Sequence, residues 1–112
     1  MEDCIFCKIV KGDIPSKKIY EDDQVVAFYD VAPAAPVHVL VIPKEHLLES
    51  AREITSEHAA LIAHIYQVIA QLAKELKLDG GYRVVTNAGE DAGQTVMHLH
   101  FHLLGGKLGP MA

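Results

Sequence analysis

The sequence predicts an α+β domain: a five-stranded antiparallel sheet with one long helix and a short N-terminal helix. Three observations predict it. A three-and-four-residue apolar stripe runs from about Ser56 to Lys77, short β-branched and aromatic segments flank it, and their order is helix, three strands, helix, two strands. The 112 residues fit one domain, 1–112, with enough chain to bury a single core.

Residues 4–10 read as the short helix, with Asp3 as its cap, Ile5, Phe6, Ile9 and Val10 as its apolar stripe, and Gly12 and Pro15 ending it. "KKIYED" (17–22) and "QVVAFYD" (24–30) read as strands. "PAAP" (33–36) breaks the pattern before "VHVLVIP" (37–43), where Val37, Val39 and Val41 alternate with His38, Leu40 and Ile42. In the long helix Leu61, Ile65, Val68, Leu72 and Leu76 form the stripe, and Ile62, Tyr66, Ile69 and Ala73 widen it. Thr55 or Ser56 caps its start, and Gly80-Gly81 stops it after Lys74 and Lys77. His58 and His64 fall outside the stripe and are expected to face solvent without a role. "YRVVTNAG" (82–89) reads as a strand entering a glycine-rich loop, and a histidine-bearing strand follows.

Composition removes several functions. With 50% hydrophobic and 22% charged residues the chain is globular rather than disordered. A net charge of −5 without a basic cluster argues against binding a nucleic acid polymer, while free nucleotides remain open. No apolar run approaches the ~20 residues that span a bilayer, and "MEDCIFCKIVKGD" resembles no signal peptide, so a cytoplasmic location without a membrane is expected. Both cysteines sit in one C-x-x-C, a metal or redox spacing rather than a disulfide framework.

The chemistry concentrates in "TVMHLHFHLLGG" (95–106). In an extended segment His98, His100 and His102 share one face, while Leu99, Phe101 and Leu103 turn to the other. Half-buried polar residues on a sheet face are one explanation, but buried imidazoles need hydrogen-bond partners. One metal for all three is another, yet the outer two are about 13.5 Å apart along a strand, too far for bonds of about 2.0 Å. Phosphoryl chemistry fits better. A neutral imidazole is a nucleophile near neutral pH, and its neighbours keep it neutral or donate to phosphate oxygens.

"HLHFHLLGG", with "VVTNAGEDAGQTVMHLHFHLLGG" and "FYDVAPAAPVHVLVIPKEHL", resembles the histidine triad family, in its Hint-like nucleotide-binding branch, along nearly the whole chain. The "LLGG" close is similar to that branch rather than to the dinucleoside polyphosphate hydrolases. The resemblance implies a purine nucleoside phosphoramidase that splits a nucleoside 5′-phosphoramidate into monophosphate and amine. His100 would be the nucleophile, His102 a donor to a phosphate oxygen, and His38 the family's fourth histidine. Asn87 and the backbone around Gly93 and Thr95 would hold the α-phosphate, and Asp30 would accept both ribose hydroxyls. Ile5, Phe6, Ile9, Phe28 and Val31 would form the slot for a purine such as that of AMP or GMP, whereas Glu90 and Asp91 read as plain turn residues. The resemblance further implies a homodimer joined through the long helix and a strand. It also implies a structural zinc ion on Cys4, Cys7, His46 and His98, as in many bacterial relatives and in galactose-1-phosphate uridylyltransferases; two reduced thiols without metal are the alternative. Two other functions fit the same motif: a nucleotide-binding regulatory protein with incidental hydrolysis, and a dinucleoside polyphosphate hydrolase.

Overall fold

A computed structural model describes residues 4–110. The expected Asp3 cap lies outside the described residues; within them Cys4 takes the N-cap position of helix α1 (Ile5–Lys11), its sulfur accepting the Cys7 N–H. Gly12 ends α1 in the left-handed conformation, as its lack of a side chain allows. Three strands follow: β1 (Lys18–Glu21), β2 (Val25–Tyr29) and β3 (Val37–Pro43). The long helix α2 (Ala59–Glu75) comes next, then β4 (Tyr82–Val85) and β5 (Phe101–Gly105). All neighbouring strands pair antiparallel in the order β1-β2-β3-β5-β4, so the third and fifth strands lie side by side at the centre.

Both faces of the sheet are covered. Val25 and Ala27 of β2, Val39 and Val41 of β3, and Phe101 and Leu103 of β5 pack under Ile65, Val68, Ile69 and Leu72 of α2. The opposite face turns Val26, Phe28, Leu40 and Ile42 toward Phe6 and Ile9 of α1. The α2 stripe is narrower than its spacing predicts: Tyr66 remains 47% exposed, meeting Phe101 only ring edge to ring. The glycines of "LLGG" are steric. A Cβ on Gly105 would come within 2.5 Å of Leu78, and Gly106, at φ +89°, lies against Pro36.

The two helix histidines expected to be idle are both engaged. His58 accepts the Thr55 N–H at 3.0 Å, closing a capping box in the single turn Ser56–His58 that precedes α2. His64 Nε2 meets Asp22 Oδ2 at 2.6 Å, clipping the helix to the β1–β2 hairpin, whose backbone Asp22 also holds through Gln24 and Val25. The His64 partner is remote from the local spacing: 42 residues separate Asp22 from His64.

Candidate active site

The extended-strand expectation for the histidine row holds in its alternation and fails in its extent. Leu99, Phe101 and Leu103 enter the α2 core, but the β5 ladder begins only at Phe101, leaving His98 and His100 ahead of it. Bonds from outside the ladder fix this stretch. The Leu99 N–H donates to the Leu48 carbonyl at 2.9 Å, and the Thr86 hydroxyl donates to the His100 carbonyl at 2.7 Å. Thr86 follows the last residue of β4 and supplies the bond that a longer ladder would have made. Nothing in its local sequence marks it.

Hydrogen bonds to the backbone assign the imidazole tautomers. His100 Nδ1 lies 2.7 Å from the His98 carbonyl, which can only accept, so Nδ1 carries the proton and Nε2 keeps a lone pair. His38 Nδ1 accepts the Ala34 N–H at 2.9 Å, so its proton is on Nε2, which lies 2.8 Å from His102 Nδ1. His102 Nδ1 therefore accepts, and its proton sits on Nε2, a buried atom without a partner among the described residues. The result is one nitrogen that offers electrons and one that offers a proton. Burial pushes the His100 imidazole below its ordinary pKa against the pull of the His98 carbonyl bond, and burial, then His100 and His38, push His102 down to about 4. Both rings are neutral at pH 7.

Asp30, His38 and His102 cluster closely enough to hold a cation, but their donor set does not fit one. A metal on His38 Nε2 would require a proton on Nδ1, where the Ala34 N–H already points. Within the trio His38 donates to His102, and Asp30 Oδ2 lies 3.5 Å from His38 Nε2 as a nearby charge.

Beside these rings lies a groove of about 390 Å³, a size suited to a small molecule. Ile5, Phe6, Ile9, Phe28 and Val31 line it, together with the polar Asp30, Thr95, His100 and His102. Of the expected residues, His38, Asn87 and Gly93 do not line it. The Gly93 N–H is bonded to the Glu90 carbonyl at 2.9 Å within a single helical turn, so it is not free for an anion. Glu90 and Asp91 sit in that exposed turn, as expected. The residue that organises this loop is Gln94, which is 4% exposed. Its amide donates to the carbonyls of Glu49 and Val96, and its oxygen accepts the Gly89 N–H. Its signal in the sequence is only an uncharged polar residue after a glycine.

Cys4, Cys7, His46 and His98 offer one ligand atom each within 4.8 Å of one another. Cys4 Sγ and Cys7 Sγ lie 3.4 and 3.6 Å from His98 Nδ1, and Cys7 Sγ lies 3.3 Å from His46 Nδ1. Tetrahedral zinc bonds of about 2.3 Å to sulfur and about 2.0 Å to nitrogen separate such ligands by about 3.5 Å. The His98 ring is turned to ligate, because its Nε2 donates to the Pro43 carbonyl at 2.8 Å and leaves the Nδ1 lone pair toward the sulfurs. Burial, then the Cys4 sulfur, push the Cys7 thiol above its ordinary pKa, a cost that a cation among the four ligands would reverse. The four residues fit zinc, and the histidine row splits between this cluster and the groove.

Across residues 3–111 the sequence matches the family model "Scavenger mRNA decapping enzyme C-term binding". A HIT-like protein of Synechococcus elongatus is 51% identical over 106 residues, 95% of this chain and 92% of that protein. The chain belongs to the histidine triad family. Among solved structures, this histidine triad protein is similar to a HIT family hydrolase from Clostridium thermocellum, with a TM-score of 0.94 and 49% identity over 99% of this chain and 97% of that one. It is also similar to a histidine triad nucleotide-binding protein from Candida albicans, with a TM-score of 0.81 and 40% identity over 98% and 84% of the two chains.

Proposed function

We propose that this histidine triad protein hydrolyses purine nucleoside 5′-phosphoramidates through a covalent nucleotidyl intermediate on His100. One observation carries the reading: a lone pair at His100 Nε2 stands beside an unpartnered N–H at His102 Nε2, both rings lining one apolar groove. The names of two neighbours, a hydrolase and a nucleotide-binding protein, agree with it.

His100 Nε2 attacks the α-phosphorus, forming a P–N bond as the P–N bond to the nitrogen-protonated leaving group breaks and a neutral amine departs. The two bonds are alike in kind, so the intermediate need not lie far uphill. The His102 Nε2 proton meets a non-bridging oxygen as its charge changes, inside a site that excludes most water. Water then displaces His100 and returns its lone pair. The base lies among Phe6, Ile9 and Phe28, with Ile5 and Val31 at the rim, and Asp30 accepts the ribose hydroxyls. Thr95 lies near the leaving group, and Asn87 reaches the phosphate only if its loop shifts. Zinc, when bound, cross-links α1 to the His98 segment and takes no chemical step. The chain works as a homodimer, joined through α2 and an outer strand of the sheet.

Purified protein assayed against a panel of nucleoside phosphoramidates tests the reading. His100→Ala is expected to lower turnover at least about 1,000-fold while AMP binding stays within a few-fold. Acid-quenched wild-type protein should carry a nucleotidyl adduct on His100. Wild-type turnover in the variant overturns the assignment. Tight AMP binding with negligible turnover of every substrate makes the chain a regulatory binder, and preference for dinucleoside polyphosphates moves it to the other hydrolase branch.

A further inference from the structure

We propose that Cys4 and Cys7 are a thiol switch over the nucleotide groove: their oxidation to a disulfide expels the metal and releases α1. The inference rests on the nucleotide-binding reading above and concerns what controls that site. Three sets of contacts carry it.

The cysteines are placed to react with each other. Cys4 is the N-cap of α1 and Cys7 lies one turn on, with the Cys4 sulfur already accepting the Cys7 N–H at 3.4 Å. One turn of helix brings two Cα atoms to about 5–6 Å, within the span of a disulfide. Both side chains are only partly buried, and Cys4 and His46 border a surface recess of about 340 Å³ that small oxidants can enter.

The same helix builds the groove. Ile5, Phe6 and Ile9 of α1 line it, and the Phe6 ring meets Phe28, His98 and His100 edge-on at 5.7, 5.9 and 5.0 Å. A helix of seven residues does not persist without tertiary anchors. The anchors of α1 are the packing of Phe6 and Ile9 and the cluster that ties its cysteines to His46 and His98. The cluster also touches the nucleophile, because the residue offering its ring to the metal, His98, offers its carbonyl to the His100 Nδ1 proton at 2.7 Å. Loss of the metal removes one of the two anchors of α1 and loosens the segment that fixes the His100 tautomer.

The chemistry balances with hydrogen peroxide as oxidant. One cysteine thiolate attacks the peroxide oxygen, breaking the O–O bond and giving a sulfenic acid and hydroxide. The second thiolate displaces hydroxide from that sulfur, forming the S–S bond; the two sulfurs lose two electrons, and the two hydroxides take two protons from solvent and leave as water. The metal keeps only two neutral imidazoles and dissociates. Thiol reduction and zinc reload the site.

The experiment treats reduced, zinc-loaded protein with hydrogen peroxide. It follows zinc with a chromophoric chelator, the Cys4–Cys7 linkage by peptide mass, and AMP affinity by calorimetry. One zinc is expected to leave per disulfide formed, AMP affinity to fall at least about tenfold, and dithiothreitol with zinc to restore it. A Cys4→Ser/Cys7→Ser double variant should bind AMP weakly from the start and ignore peroxide. Unchanged AMP affinity in protein with a verified disulfide overturns the proposal, as does zinc retention, or a peroxide response in the double variant. If reduced protein binds no AMP, the functional reading fails instead. The switch is then decided by hydrogen exchange of residues 5–11, which must accelerate on oxidation.

Discussion

The two faces of the sheet solve different problems with the same strands. Under α2 the sheet buries aliphatic and aromatic side chains alone: Val25, Val39, Val41, Ile65, Ile69, Leu72, Leu99 and Leu103 are each 1% exposed or less. Under α1 it buries Val26, Phe28, Leu40 and Ile42 together with His38, His98 and His100, each ring bonded to a backbone group. The first face draws its stability from volume and asks little of any one residue. The second takes imidazole nitrogens from water and pairs most of them, leaving His102 Nε2 without a partner among the described residues, and this pairing sets which nitrogens carry protons. The contrast teaches that stability and chemistry are stacked back to back on β3 and β5, so that adjacent residues serve opposite ends.

Variants on the two faces should therefore fail in different assays. Leu72→Ala opens a cavity in the α2 core and is expected to lower unfolding free energy by about 2–5 kcal/mol in urea titrations. Turnover per folded molecule should remain native; a specific loss of kcat in folded Leu72→Ala would break the separation of the faces. Thr86→Val works the other way. It removes the bond that pins the His100 carbonyl, and kcat is expected to fall about tenfold, or about 1.4 kcal/mol, with KM nearly unchanged. Thr86→Ser, which keeps the hydroxyl, should recover most of the rate. A valine variant with native kcat, or a serine variant no better than valine, shows that Thr86 only fills space.

The two faces were also unequally legible. The α2 stripe, the five strands, their order and the Gly12 stop follow from local spacing and backbone preference, which a sequence displays directly. The alternation through Leu99, Phe101 and Leu103 was legible for the same reason, and the metal-competent set could be read through family resemblance. The start of the β5 ladder at Phe101 was not, because the preceding residues are held by Leu48 and Thr86, distant partners that leave no local period. His64 and Asp22 were missed on the same ground. The turn that pairs the Gly93 N–H with the Glu90 carbonyl was not legible either, because that pairing depends on backbone angles rather than residue type.

The smallest predicted effect separates the faces by pH. Among the described residues, the fully buried cluster under α2 is aliphatic and aromatic without a titrating side chain, whereas His102 has a folded pKa of about 4 against an ordinary 6.5. Between those values the unfolded chain binds a proton that the folded chain refuses, so acidification through this window favours unfolding; above 6.5 and below about 4 the group adds no slope. His102 is partly solvated and water screens much of the shift, leaving a loss on the order of 1 kcal/mol. Asp22 acts in a different window. Burial opposes ionisation there, but the bonds from Val25, Gln24, Tyr20 and His64 hold its carboxyl well below the ordinary value, so its contribution disappears only as the pH falls below about 4. Urea midpoints at pH 7 and pH 4.5 for wild type and His102→Gln isolate the histidine, because metal loss and every other group are common to both. The wild type should lose more stability across that interval. Equal losses would place the low-pH sensitivity of this face in groups other than His102, and the neutral donor in the groove would lose its support.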